Sequence, residues 1–128
     1  MTVSISDLTS INAVRAYLNL IPADATGKAT ICIPSEDDIL ELQTKGRVEI
    51  NFVTIESDDV YSGVFKNYDK LSDKTIIFAA GEFHKVKSLK ESIKEIGIVK
   101  SENTFISSYW KRGMDDASFR DEKRKKNV

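Results

Sequence analysis

The sequence predicts an α/β domain: an open parallel sheet of about five strands, flanked by helices on both faces. Three observations predict it. Short apolar or β-branched runs alternate with helical periods along most of the chain. The run Ile76-Ile77-Phe78-Ala79-Ala80 is continuously apolar, as in a strand covered on both faces. No repeat, low-complexity stretch or linker interrupts the pattern, and 128 residues suit one domain with one core. Repeated strand–helix alternation implies right-handed crossovers and therefore parallel pairing.

The elements follow in order. Residues 2–6 are short and β-branched, a first strand. Leu8, Ile11, Val14, Leu18 and Ile21 recur at helical spacing, with Asp7 or Thr9 as cap and Pro22 as stop. Residues 28–33 form a second strand. Ser35 is placed to cap a short helix over residues 36–44, acidic in its first turn. Residues 47–54 alternate, with Val48, Ile50 and Phe52 against Glu49 and Asn51, which predicts a half-exposed strand near a sheet edge. Asp58 and Asp59 open a helix whose stripe is Val60, Val64, Tyr68 and Leu71. Residues 74–80 are the next strand. The clearest helix carries Phe83, Val86, Leu89, Ile93 and Ile96 on one stripe, with Lys85, Lys87, Lys90 and Lys94 facing away and Gly97 at C′. Residues 104–110 are the last strand. The domain is expected to end near Gly113, leaving residues 114–128 as a polar, basic, poorly ordered tail.

Composition narrows the function classes. The net charge of -1 does not advertise nucleic acid or a membrane surface as partner. Up to Trp110 there are 12 Lys+Arg against 16 Asp+Glu, and beyond it 7 against 4, so a mildly acidic body precedes a basic tail. Cys32 is the only cysteine, which excludes an internal disulfide and a zinc cluster. No metal site is expected. No apolar run approaches the ~20 residues that span a bilayer. Residues 1–7 have no basic n-region and no apolar h-region, so a cytoplasmic location is expected.

In an open parallel sheet, ligands bind beyond the carboxyl ends of the strands. Four segments qualify. Around Asp7, Thr9 and Ser10, hydroxyls at a helix start can hold a pyrophosphate, or can simply cap the helix. The glycine fingerprint of dinucleotide-binding turns is missing there. After the second strand, Glu36 or Asp37 can accept from a ribose hydroxyl, or can merely favour a helix start. A carboxylate there repels a 2′-phosphate and favours NADH over NADPH. At Ala79-Ala80-Gly81-Glu82, small residues allow a flat ring to approach, or only permit a tight strand-to-helix turn. At Ser108-Tyr109-Trp110-Lys111-Arg112-Gly113, aromatics can stack on a flavin or nicotinamide while the cations hold an anion, or the rings plug the sheet end and the cations are solvated. His84, the only histidine, has no evident partner and is assigned no role. The tail run Lys123-Arg124-Lys125-Lys126 is a solvated end rather than a nucleic-acid patch.

These segments resemble the C-terminal NAD(P)H-binding domain of siderophore-interacting proteins, the flavin-dependent ferric-siderophore reductases of the ferredoxin reductase-like superfamily. The specific matches are Ala80-Gly81-Glu82 before a helix and Ser108-Tyr109-Trp110-Lys111-Arg112-Gly113 near the end, one helix and one strand apart. A weaker match is Asp7-Leu8-Thr9-Ser10-Ile11. The likeness runs from Thr2 to about Gly113. Two departures stand out: Ser108 where the family usually has glycine, and Leu8 where an acidic residue is common.

The resemblance implies that NAD(P)H passes a hydride to FAD, and that the flavin reduces Fe(III) held by a siderophore. Asp7, Thr9 and Ser10 would then sit at the pyrophosphate, Gly81 and Glu82 near the nicotinamide, and Tyr109 and Trp110 by the flavin. Lys111 or Arg112 would attract the ferric siderophore. No flavin-binding barrel is found in residues 1–128, so the expected partner is such a domain, in cis in a longer protein or in trans. Alternatives are a non-catalytic interaction domain and a reductase half serving another acceptor.

Overall fold

The computed structural model describes residues 1–126, without the side chain of Lys126. Five strands run parallel in the order β3-β2-β1-β4-β5. They are β1 (Thr2–Asp7), β2 (Thr26–Cys32), β3 (Arg47–Val53), β4 (Ile76–Glu82) and β5 (Thr104–Trp110). The helices are α1 (Ile11–Leu20), α2 (Val60–Lys66), α3 (Phe83–Ile96) and α4 (Asp116–Lys126). The chain order reverses direction across the sheet between β1 and β4, so their carboxyl ends flank a crevice.

β1 is buried along its whole length, and its alternation explains the layering. Val3 and Ile5 join Ile77, Phe65, Val86 and Leu89 in the core under α2 and α3. The opposite face carries Thr2, Ser4 and Ser6, whose small size lets α1 lie close. There Thr2 hydrogen-bonds the Tyr17 phenol of α1. Val14, Leu18 and Ile21 of α1 and its exit pack on Ala29. α1 covers part of that face and leaves Ile76 and Phe105 39% and 56% exposed. The apolar run of β4 is therefore not covered on both faces at its start. α3 ends as its sequence requires, with Gly97 in the left-handed region at φ 72°.

Three expected elements change their bounds. The helix expected over residues 36–44 is one 3-10 turn, Glu36–Asp38, capped by the Ser35 hydroxyl. Beyond it the chain runs irregularly because it serves α1: Leu42 packs on the α1 cluster, and Thr44 Oγ1 donates to the terminal Leu18 carbonyl at 3.0 Å. α2 stops at Lys66, before Tyr68 and Leu71. β4 continues through Gly81 and Glu82, because both pair with β5.

The tail is not loose where it is described. Residues 116–126 form α4, whose Phe119 is 2% exposed and meets the Phe83 ring edge-on. Lys123 Nζ donates to the Ser108 carbonyl at 2.6 Å, and Lys111 pairs with Glu122 at 2.6 Å. One apolar anchor and two charged contacts order a segment whose composition alone predicted disorder. Residues 127 and 128 of that expected tail lie outside the described residues.

Phe119→Ala is expected to cost about 3 kcal/mol and to speed amide exchange across residues 116–126 while β1 stays protected. Unchanged exchange would mean that the ion pairs hold α4 without the ring.

Candidate functional site

The crevice between β1 and β4 is organised by Asp7, the last residue of β1. Its Oδ1 accepts from the Thr9 N–H at 3.0 Å and the Thr9 hydroxyl at 2.5 Å, which caps the turn leading into α1. Its Oδ2 accepts from the Trp110 indole Nε1–H at 3.1 Å. That bond joins β1 to β5 across β4. The space for it exists only because the intervening residue is Gly81. A Cβ there would lie 2.3 Å from the Tyr61 hydroxyl and 2.7 Å from Asp7 Oδ2, and φ is 147°. The Tyr61 hydroxyl donates to the Ala80 carbonyl at 2.9 Å, and the buried Ser10 hydroxyl lies 3.1 Å from the same oxygen. Burial, with Asp7's charge nearby, pushes the Tyr61 phenol pKa far up, so it remains a donor.

A bulge aims the indole. Gly81 pairs with Ser108 but Glu82 pairs with Trp110, so Tyr109 is the extra residue on β5. Tyr109 is 44% exposed, Trp110 is half-buried and Ser108 is buried.

Glu82 is 2% exposed, and its carboxylate is fully engaged. Oε1 accepts from the His84 N–H at 3.0 Å; Oε2 accepts from the Arg112 N–H at 3.1 Å and lies 2.9 Å from His84 Nδ1. Burial alone would raise its pKa, but the bonds from Arg112 and His84 outweigh it and hold the group below the usual carboxylate range. Glu82 thus latches the chain after β5 onto the start of α3. His84, assigned no role from sequence, is its partner. The pairing works because Glu82 has an extended backbone, φ -68° and ψ 137°, so its side chain turns back over the first helical turn.

Two cations meet one acidic loop. Lys85 is buried, not facing away as its helical position predicts, and its Nζ lies 3.2 Å from Glu56 Oε2. Arg112 makes a two-pronged pair with Asp58 at 2.8 and 3.3 Å. Hydrogen bonding from Arg112 is the main reason the Asp58 carboxyl sits low, and the charges of His84 and Lys85 add to it. Burial pushes the Cys32 thiol up to about 12, opposed by Lys85, so it stays protonated. Lys111 Nζ lies 4.6 Å above the Phe83 ring at the start of α3.

Of the residues singled out in sequence, Asp7, Thr9, Ser10 and Trp110 gather around Gly81, and Glu82 and Arg112 form an adjoining cluster, in a network of two parts. Asp7 and Ser10 spend their polar atoms on the protein itself, while Thr9 is exposed. Glu36 is exposed after β2 and joins no hydrogen bond or ion pair in that network. Sequence reasoning missed Tyr61, Glu56, Asp58, His84 and Lys85. Among the described residues no three His, Cys, Asp or Glu side chains gather as metal ligands, and no helix is long and apolar enough to cross a membrane.

The sequence model for siderophore-interacting proteins matches residues 2–113. The chain belongs to the siderophore-interacting protein family. Three solved structures share its fold. The siderophore-interacting protein SipS from Aeromonas hydrophila superposes with a TM-score of 0.83 at 19% identity, over 98% of this chain and 52% of that one. A siderophore utilization protein from T. fusca gives 0.77 at 20% identity, over 90% of this chain and 46% of that one. The siderophore-interacting protein from Acinetobacter baumannii gives 0.79 at 17% identity, over 98% of this chain and 52% of that one. This siderophore-interacting protein chain spans about half the length of those structures. Its match is consistent with the C-terminal domain of the family.

Gly81→Ala is expected to cost on the order of 3 kcal/mol, from a forced shift of Tyr61 or Asp7 plus backbone strain. Adding Tyr61→Phe to Gly81→Ala should return part of that loss in thermal unfolding. No return would place the strain elsewhere.

Proposed function

We propose that this chain is the NAD(P)H-binding half of a flavin-dependent ferric-siderophore reductase. The observation that carries the reading is the convergence of Asp7, Gly81 and Trp110 at the switch point of a parallel sheet, where ligands of such sheets bind. Family membership supports a siderophore-related role. The residues also suit a dinucleotide in charge and surface. Lys85 and Arg112 stand at the crevice, and Tyr109 and Trp110 offer aromatic surface at the end of β5.

Each residue has a task in this reading. Asp7 and Ser10 fix the turn after β1, leaving Thr9 as its exposed member toward the pyrophosphate. Glu36 accepts from the ribose. Gly81 keeps the end of β4 flat for the nicotinamide. Glu82 does not touch the ring but holds the start of α3 and the Arg112 backbone in place. Tyr109 and Trp110 border the flavin, which a partner domain binds. Lys111 or Arg112, once Glu122 or Asp58 releases it, draws in the anionic ferric siderophore. When bound, the nicotinamide supplies a hydride and FAD divides it into single electrons for the iron. Siderophore oxygens hold Fe(III) far better than Fe(II), so reduction releases the metal.

The full chain should quench its single tryptophan saturably with NADH or NADPH, and should reduce a ferric siderophore only when a flavin-binding domain is added. A folded chain that binds neither nucleotide would overturn the reading in favour of a non-catalytic interaction domain.

A further inference from the structure

The loop between β3 and α2, residues 54–59, is exposed along its length, yet two of its carboxylates reach cations at the crevice. Glu56 holds Lys85, whose side chain is only 7% exposed, while the glutamate side is 68% exposed. Asp58 holds the Arg112 guanidinium in the two-pronged geometry with which arginine grips carboxylates and phosphates alike. Lys85 and Arg112 come from separate elements, α3 and the segment after β5, and both act on Asp58 together with His84. A lysine sunk that far needs an anion to compensate it. The anion it has is carried by an exposed loop without regular structure, the kind of segment that opens at small cost.

We propose that Lys85 and Arg112 form a phosphate-binding pair, and that Glu56 and Asp58 are internal stand-ins which a pyrophosphate-bearing ligand displaces by releasing the 54–59 loop. The loop is then a strap: it keeps the two cations compensated in the empty domain and lowers affinity for any single anion. A ligand with two adjacent phosphates replaces both carboxylates at once, so pyrophosphate outcompetes monovalent anions. The nucleotide reading supplies the natural ligand here, but the anion site stands apart from it.

The test titrates inorganic pyrophosphate, and separately NADH and NADPH, into the full chain and into the double variant Glu56→Gln/Asp58→Asn. Amide exchange of residues 54–59 is followed alongside. Neutralising two exposed carboxylates should tighten pyrophosphate binding about 5- to 10-fold. Adding Lys85→Gln should abolish that gain. In the unaltered chain, pyrophosphate should speed exchange in the loop and leave β1 unchanged. Equal pyrophosphate affinity in both chains, or a loop that becomes more protected on binding, overturns the strap. If pyrophosphate behaves as expected while neither dinucleotide binds, the anion site stands and the nucleotide reading falls. If the dinucleotides bind while pyrophosphate and the double variant show no effect, the anion site falls and the nucleotide reading stands.

Discussion

The missing side chain at Gly81 is the constraint on which the rest of the site depends. β1 and β5 are not neighbours in the sheet; β4 lies between them. Their carboxyl ends touch only because Asp7 and the Trp110 indole meet where a Cβ at Gly81 would stand. The bulge at Tyr109 serves the same contact, since it turns the next residue toward Asp7. Tyr61 closes the arrangement from below by tying the Ala80 carbonyl. A strand, a bulge, a turn and a helix are thus fixed by one shared space a few ångströms across.

Charge follows from that geometry. Two carboxylates are buried at the switch point, Asp7 and Glu82, and each is held by N–H donors rather than by a salt bridge alone. Both side chains are fixed in place by these bonds, and at Glu82 the bonds from Arg112 and His84 hold the carboxyl below its usual range. The compensating cations Lys85 and Arg112 turn outward, to a loop. The end of the sheet is therefore stiff at its centre and bound at its rim by one exposed ion pair, Arg112–Asp58, and one with a buried cation, Lys85–Glu56. The exposed Arg112–Asp58 pair contributes little to stability, whereas buried Lys85 needs an anion from one source or another.

The sheet and the main helices were legible because their signals are local. β5 has the bounds expected of the last strand, and α3 ends at the expected glycine. Where distant residues decide, local reading failed. β4 extends to Glu82 because Trp110 pairs with it from 28 positions away in sequence. Residues 39–46 forgo a helix to satisfy the end of α1. The tail is ordered by Phe119, one ring among charges. The same distinction holds at the site. Gly81, Glu82 and Trp110 were marked by their unusual grouping. Lys85 was hidden, because a helical stripe cannot show that an acidic loop will fold over the polar side. His84 was set aside for want of a partner, and the partner is two residues away only because Glu82 is not helical.

Trp110 is the only tryptophan, so its indole N–H gives a single resonance that reports directly on the bond to Asp7. In the unaltered chain that proton should exchange with solvent far more slowly than in free indole, and Asp7→Asn should shift it and hasten its exchange. An indole proton that exchanges like the free ring and ignores Asp7→Asn would contradict the account, because the ends of β1 and β5 would then not meet.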